Sequence, residues 1–188
     1  MMLPRFEKWD SPTKDGIHRM FVYGTLRQGE SNHSLLKDQE LVGYSRANGY
    51  VMVSLGAFPG AIKVVNGGWC IYGEIYNVKD EVLPHVDGLE GYPGFYTREE
   101  VDVEPYGKCW IYTLPAEEYL KDGSKFIPGG RWKGRDTQCF IWDKTKIAAP
   151  YQVDRPLIEY SDKKEEPKVR IIPEVKSIQV GPGYEEIV

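Results

Sequence analysis

Only one segment of this chain, KDEVLPHVDGLEG at residues 79–91, spaces its apolar residues as a helix does. Val82, Leu83, Val86 and Leu89 fall on one face, Asp80 stands where an N-cap would, and Pro84 is early enough for the first turn. Gly91 supplies the stop. Everywhere else between His18 and Leu114 the apolar residues come as short aromatic and β-branched runs. HRMFVYG reads as a buried strand, and LVGYSRANGYVMVSL as strand material broken by Gly43 and Gly49. In FPGAIKVVNGGWCIYGEIYNV, Asn66-Gly67-Gly68 predicts a hairpin, because a positive φ costs little there. The alternating YTREEVDVE and the run CWIYTL flank PYGK as a second hairpin. One helix among so many strands predicts an α+β domain on a strongly curved mixed sheet or small β-barrel with few helices.

The chain has 188 residues, enough for one domain with a real core and short for two. A net charge of −4, with no basic run carrying interleaved aromatics, argues against a nucleic-acid partner. Cys70, Cys109 and Cys139 show no CxxC spacing and are odd in number, which favours reduced thiols and a cytoplasmic setting. The opening MMLPRFEKWDSPTKDG has no apolar signal core, and no stretch approaches a membrane span.

Residues 1–17 read as a polar leader, residues 18–134 as the folded domain, and residues 135–188 as a C-terminal extension, partly irregular. The extension is charge-mixed and proline-punctuated, with short apolar runs such as RII and IQV. It could add an edge strand, dock a partner, cover a pocket mouth or pair two copies as a homodimer.

Two stretches could carry chemistry. The first is VYGTLRQGESNHSLL, residues 22–36. Main-chain N–H groups that leave a ladder at a strand end need partners, and Gly24 lets a ligand come close to the backbone. Successive free amides form an anion-binding nest suited to a carboxylate or phosphate. A plain strand-ending turn is the competing reading, and the lysine and second glycine of a phosphate loop are absent. Ser31 or Asn32 can cap a short helical turn bearing Leu35 and Leu36. The second stretch is VDGLEGYPGFYTR, residues 86–98. Glu90 lies near the helix C-terminus, where the dipole disfavours negative charge, among Leu89, Tyr92, Phe95 and Tyr96. That setting raises a carboxyl pKa toward the range of a general base. A solvated turn glutamate is the competing reading, and Asp87 is the rival carboxylate.

Taken together, VYGTLRQGESNHSLL, WCIYGEIYNV, LPHVDGLEGYPGFYTREEVDV and CWIYTL resemble the gamma-glutamylcyclotransferase-like superfamily in order and spacing. The likeness covers roughly residues 19–114 and is greatest to the gamma-glutamylamine cyclotransferases and related small bacterial proteins. IPGGRW resembles the Gly-Asp-Trp element that often follows in that family, with Arg131 in place of the aspartate. The resemblance implies Glu90 as general acid/base, and Tyr23, Gly24, Thr25 and Leu26 as the substrate cradle. It further implies Tyr96 as pocket wall, Arg27 and Asn32 as loop-shaping residues, and Arg98 as partner of an acidic side chain.

The reaction so implied converts a gamma-glutamyl amine to 5-oxoproline and a free amine, with no cofactor or metal. The substrate carries its own nucleophile, so ring closure gains up to about 7–11 kcal/mol from proximity. One carboxylate moving two protons in succession adds about 10²–10⁴-fold. Main-chain donors to the α-carboxylate or developing oxyanion add roughly 3–4 kcal/mol. The alternative is a non-catalytic binding module that uses the pocket or the C-terminal extension for a partner, a reading that Arg131 and the extension keep open. His18, His33 and His85 have no Cys or His neighbour at metal spacing, and Cys70 and Cys109 sit in apolar strands.

Overall fold

The apolar runs fold into two sheets that do not close into a barrel. The computed structural model describes residues 7–64, 68–134 and 137–142, together with the backbone of 186–187. In chain order the elements are β1 (Thr13–Lys14), β2 (Ile17–Val22), a 3-10 turn at His33–Leu35, β3 (Glu40–Asn48), β4 (Tyr50–Ser54), β5 (Pro59–Lys63) and β6 (Cys70–Lys79). Then follow α1 (Leu83–Glu90), β7 (Thr97–Val103), β8 (Gly107–Thr113), α2 (Ala116–Tyr119), β9 (Lys125–Ile127), β10 (Cys139–Ile141) and β11 (Glu186–Ile187).

The first sheet runs β3-β6-β2-β8-β7, with β1 paired to β2 at its side. Its neighbours are antiparallel except β2 and β8, which run parallel at Met20 and Trp110, so the sheet is mixed. The second sheet runs β11-β10-β9-β4-β5. β3 ends at Asn48 and β4 begins at Tyr50, so the chain crosses from one sheet to the other over Gly49. Gly49 has φ +81°, a conformation that would strain any other residue.

Residues alternate along these strands between two buried clusters. Phe21, Ile71, Ile75, Met52, Ile111 and Trp132 belong to one, and Met20, Val22, Val51, Tyr76, Tyr112 and Val86 to the other. Sheets covered on both faces explain why runs such as MFV and YVMV are apolar without interruption.

Four expectations need correction. Asn66-Gly67-Gly68 does not close a hairpin of β5 with β6, because β5 pairs with β4 while β6 lies between β3 and β2 in the other sheet. Asn66 and Gly67 themselves lie outside the described residues. Asp80 does not cap α1: the N-cap position is Val82, without a side-chain cap, and the Asp80 carboxylate instead meets His18 Nε2. Nor does Asn32 cap the 3-10 turn with its side chain, which turns back to Thr25. Leu89 is left out of the core, 42% exposed, while Val86 is fully buried. Gly91 ends α1 in the left-handed conformation with its N–H on the Asp87 and Gly88 carbonyls. Of the N-terminal leader, Trp9 is buried and bridges to Gly107, and β1 pairs with β2. Most of the C-terminal extension falls outside the described residues; β10 lies in the second sheet, with β11 at its edge.

Candidate active site

β2 runs out at Val22, and the chain turns into the loop Tyr23–Asn32. Gly24 is required there by close approach rather than by dihedral freedom: a Cβ at that position would stand 2.8 Å from Pro59 Cγ. The loop is fastened from several sides. Asn32 donates its main-chain N–H to the Thr25 carbonyl at 2.9 Å and its side-chain amide to Thr25 Oγ1 at 3.0 Å. Arg27 Nη1 donates to the Trp132 carbonyl at 2.8 Å, and its Nε stands 3.7 Å from Glu74 Oε1.

Glu74 is buried, and its Oε2 accepts from the Gln28 N–H at 2.9 Å and the Tyr76 hydroxyl at 3.0 Å. The sequence reading missed this residue. It sits in the middle of β6, and only the pairing of β6 with β2 brings it beneath the loop. Its signal is a carboxylate inside an apolar strand, which needs partners wherever it is buried. With these contacts made, the N–H groups of Gly24, Thr25 and Leu26 donate to no other described residue.

Glu90 is the last residue of α1. It is half-buried, and its carboxyl has no hydrogen bond or ion pair among the described residues. Burial raises its pKa from 4.5 to about 7. Its charge is also felt by the hydroxyls of Tyr23 and Tyr96, both pushed above the usual tyrosine range, chiefly by burial. Those hydroxyls are committed to the main chain. Tyr23 donates to the Tyr112 carbonyl at 2.8 Å and accepts the Ala61 N–H at 3.0 Å, and Tyr96 donates to the Pro59 carbonyl at 2.7 Å. Both rings are therefore fixed walls.

Asp87, the rival carboxylate, is fully engaged. Arg98 Nη1 donates to its two oxygens at 2.8 and 3.1 Å, and the Tyr112 hydroxyl donates to Oδ1 at 2.5 Å. This trio ties α1 to β7 and β8, one helical turn before Glu90.

Tyr23, Gly24, Thr25, Leu26, Asn32, Glu90 and Tyr96 line one cavity of about 450 Å³. Its wall also contains Phe95, named above as a neighbour of Glu90, and Phe58, Pro59 and Glu30, which the sequence reading had not singled out. Arg27 and Arg98 lie behind the wall, not in it. Arg131 does not line the cavity, its guanidinium standing 3.5 Å from the centre of the Tyr72 ring, whereas Trp132 beside it is buried and lines the cavity. A second, more open hollow of about 330 Å³, beside α2 and β9, holds none of the candidate residues.

Of the histidines, His33 Nδ1 bonds the Leu26 carbonyl at 3.1 Å and His18 pairs with Asp80. Among the described residues no cluster of His, Cys, Asp or Glu could hold a metal ion, and no helix is long and apolar enough to cross a membrane. Burial pushes the Cys109 thiol up to about 12, which keeps it protonated and unreactive.

Comparison with known proteins gives the same region. The sequence profile of the family described as "Gamma-glutamyl cyclotransferase, AIG2-like" matches residues 20–134. A Vibrio cholerae relative is 42% identical over 116 residues, covering 61% of this chain and 95% of its own length. A protein of Niallia circulans named "Gamma-L-glutamyl-butirosin B gamma-glutamyl cyclotransferase" is 33% identical over 115 residues, covering 54% of this chain and 70% of its own. Among solved structures, an uncharacterized protein of Pyrococcus horikoshii superposes with a TM-score of 0.50 at 29% identity, over 60% of this chain and 87% of its own. With the profile matched from the first core strand through the cavity-lining Trp132, the chain belongs to the gamma-glutamyl cyclotransferase, AIG2-like family of enzymes.

Proposed function

We propose that the chain cleaves a gamma-glutamyl amine to 5-oxoproline and a free amine, with Glu90 carrying the protons. One observation supports this reading above the others: Glu90, with a carboxyl pKa near 7, and Gly24, Thr25 and Leu26, whose main-chain N–H groups donate to no described residue, line one cavity of small-molecule size.

In this reading the amides of Gly24, Thr25 and Leu26 bind the α-carboxylate of the substrate or the oxygen that becomes negative as the ring closes. The ionised Glu90 removes a proton from the α-ammonium, and the freed nitrogen attacks the γ-carbonyl carbon. As the tetrahedral intermediate collapses, protonated Glu90 returns the proton to the departing nitrogen, the bond between that nitrogen and the γ-carbon breaks, and the released amine takes up the second proton shed by the ring nitrogen, leaving as an ammonium. A carboxyl with a pKa near 7 suits both halves, since neither gaining nor losing the proton is strongly uphill. Tyr23 and Tyr96 hold the cavity's shape, and Arg27, Asn32 and Glu74 hold the loop.

The Glu90→Gln variant tests the reading. It should fold as the wild type does and release 5-oxoproline at least ~10²-fold more slowly from a gamma-glutamyl amine. Release at the wild-type rate would remove Glu90 from the reaction.

A further inference from the structure

Glu90 ends α1, and a chain of side-chain contacts outside the cavity links a residue ahead of that helix to one in its last turn. Asp80 precedes α1; its main-chain N–H donates to the Gly16 carbonyl at 2.9 Å, and its Oδ1 meets His18 Nε2 at 2.5 Å. A carboxylate only accepts, so Nε2 carries the donated proton. The other ring nitrogen, Nδ1, meets the Thr13 hydroxyl at 3.0 Å, and the same Oγ1 accepts the Trp110 indole N–H at 3.1 Å. The Arg98 guanidinium stands 5.2 Å from the centre of the Trp110 ring, within cation–π range. Arg98 in turn holds both oxygens of Asp87, one turn before Glu90.

The chain of contacts therefore begins and ends on carboxylates that flank the body of α1, and Thr13 is its middle link. Both residues of β1 are exposed, so what Thr13 contributes is its hydroxyl and not burial. Thr13 and His18 also stand ahead of residue 20, where the match to the family profile begins. The Asp80 side chain is 66% exposed, and an ion pair so wet contributes little alone. Whatever hold these residues exert on α1 comes from their acting together.

We infer that Thr13 is a positioning residue: its hydroxyl joins the Asp80–His18 arm to the Trp110–Arg98–Asp87 arm, and the bracket so formed fixes α1 and with it the place of Glu90. With the bracket cut, α1 keeps its buried Val86 but gains freedom to shift, and small displacements of a proton-carrying group are costly in rate. The inference rests on the cyclotransferase reading for what the place of Glu90 does, but its structural half is measured without turnover.

The test uses the full chain with Thr13→Val, which swaps the hydroxyl for a methyl of similar shape, and Thr13→Ser, which keeps the hydroxyl. In Thr13→Val the amides of residues 86–91 should exchange with deuterium roughly two- to tenfold faster, the scale of one neutral hydrogen bond. On a gamma-glutamyl amine, kcat should fall by a similar factor at unchanged KM, since the loop after β2 is untouched. Thr13→Ser should restore both. In an Arg98→Met background, Thr13→Val should add little to either effect, because one arm is already cut.

Exchange in α1 that ignores Thr13→Val, a kcat that stays at wild type while exchange quickens, or effects that simply add to those of Arg98→Met each overturn the inference. If no gamma-glutamyl amine is turned over, yet exchange quickens in Thr13→Val and is restored in Thr13→Ser, the reaction fails and the bracket stands. If turnover depends on Glu90 while exchange and kcat ignore Thr13, the reaction stands and the bracket fails.

Discussion

Glu90 sits in a cavity wall, and that position has opposite consequences for reactivity and for stability. Its carboxyl titrates near 7 instead of 4.5 because burial penalises the charged form. In the proposed reaction the ionised form is the one that reacts, so kcat/KM should rise with pH and reach half its plateau near pH 7, a profile read by initial rates from pH 5 to pH 9. For stability the sign reverses. A carboxyl with a folded pKa above its unfolded one stabilises the fold most at low pH and loses that contribution as pH rises from about 4.5 to about 7. Glu90→Gln removes the ionisation, and at pH 8 the variant should be more stable than wild type by on the order of 1–3 kcal/mol, after allowance for partial exposure. Urea melts at pH 8 and pH 4 check this, with the advantage fading at the lower pH. Gly24 predicts a steric effect in the same cavity. Its substitution by alanine would press a methyl to 2.8 Å from Pro59 Cγ, part of a ring that cannot rotate away. The expected cost is about 1–3 kcal/mol with a raised KM, measured by thermal melts and substrate titration.

At the scale of elements, the site is an alignment of one helix end with one strand end. Helix α1 spans only Leu83–Glu90, and its attachment to the sheet runs through Asp87, Arg98 and Tyr112. Arg98→Met keeps the length of the side chain and leaves the Asp87 carboxylate short of its bidentate donor. A loss of about 1–3 kcal/mol is expected, with a fall in kcat larger than any rise in KM, because the displaced part is the turn that carries Glu90. Unchanged kcat in a destabilised variant would show that α1 holds its place without the ion pair. The helix was legible from its 3.6-residue spacing and its Pro84 and Gly91 boundaries, and the β7–β8 hairpin from alternation around a turn. Its start was not, because Asp80 has a stronger partner in His18, 62 residues away. Asn66-Gly67-Gly68 misled in the same way: turn chemistry is local, but β5 and β6 take their partners from different sheets. Glu74 was invisible as a loop anchor, since nothing near it in sequence reveals that β6 passes beside β2.

For the whole molecule, two sheets share their buried residues, and the cavity opens where the end of β2, the end of α1 and the start of β5 meet. Pro59 joins both sides, closing against Gly24 and accepting the Tyr96 hydroxyl. The sequence motifs located the loop and the acid separately, and their convergence needed the topology, with β2 beside β8 and β8 leading back past β5. A crystal of the full chain soaked with 5-oxoproline tests that convergence most directly. The account predicts the ligand carboxylate or ring carbonyl within hydrogen-bond distance of the Gly24, Thr25 and Leu26 N–H groups, with the ring nitrogen on the Glu90 carboxyl. A ligand seated with Glu90 out of reach of its ring nitrogen, or bound beside α2 and β9 instead, would contradict it.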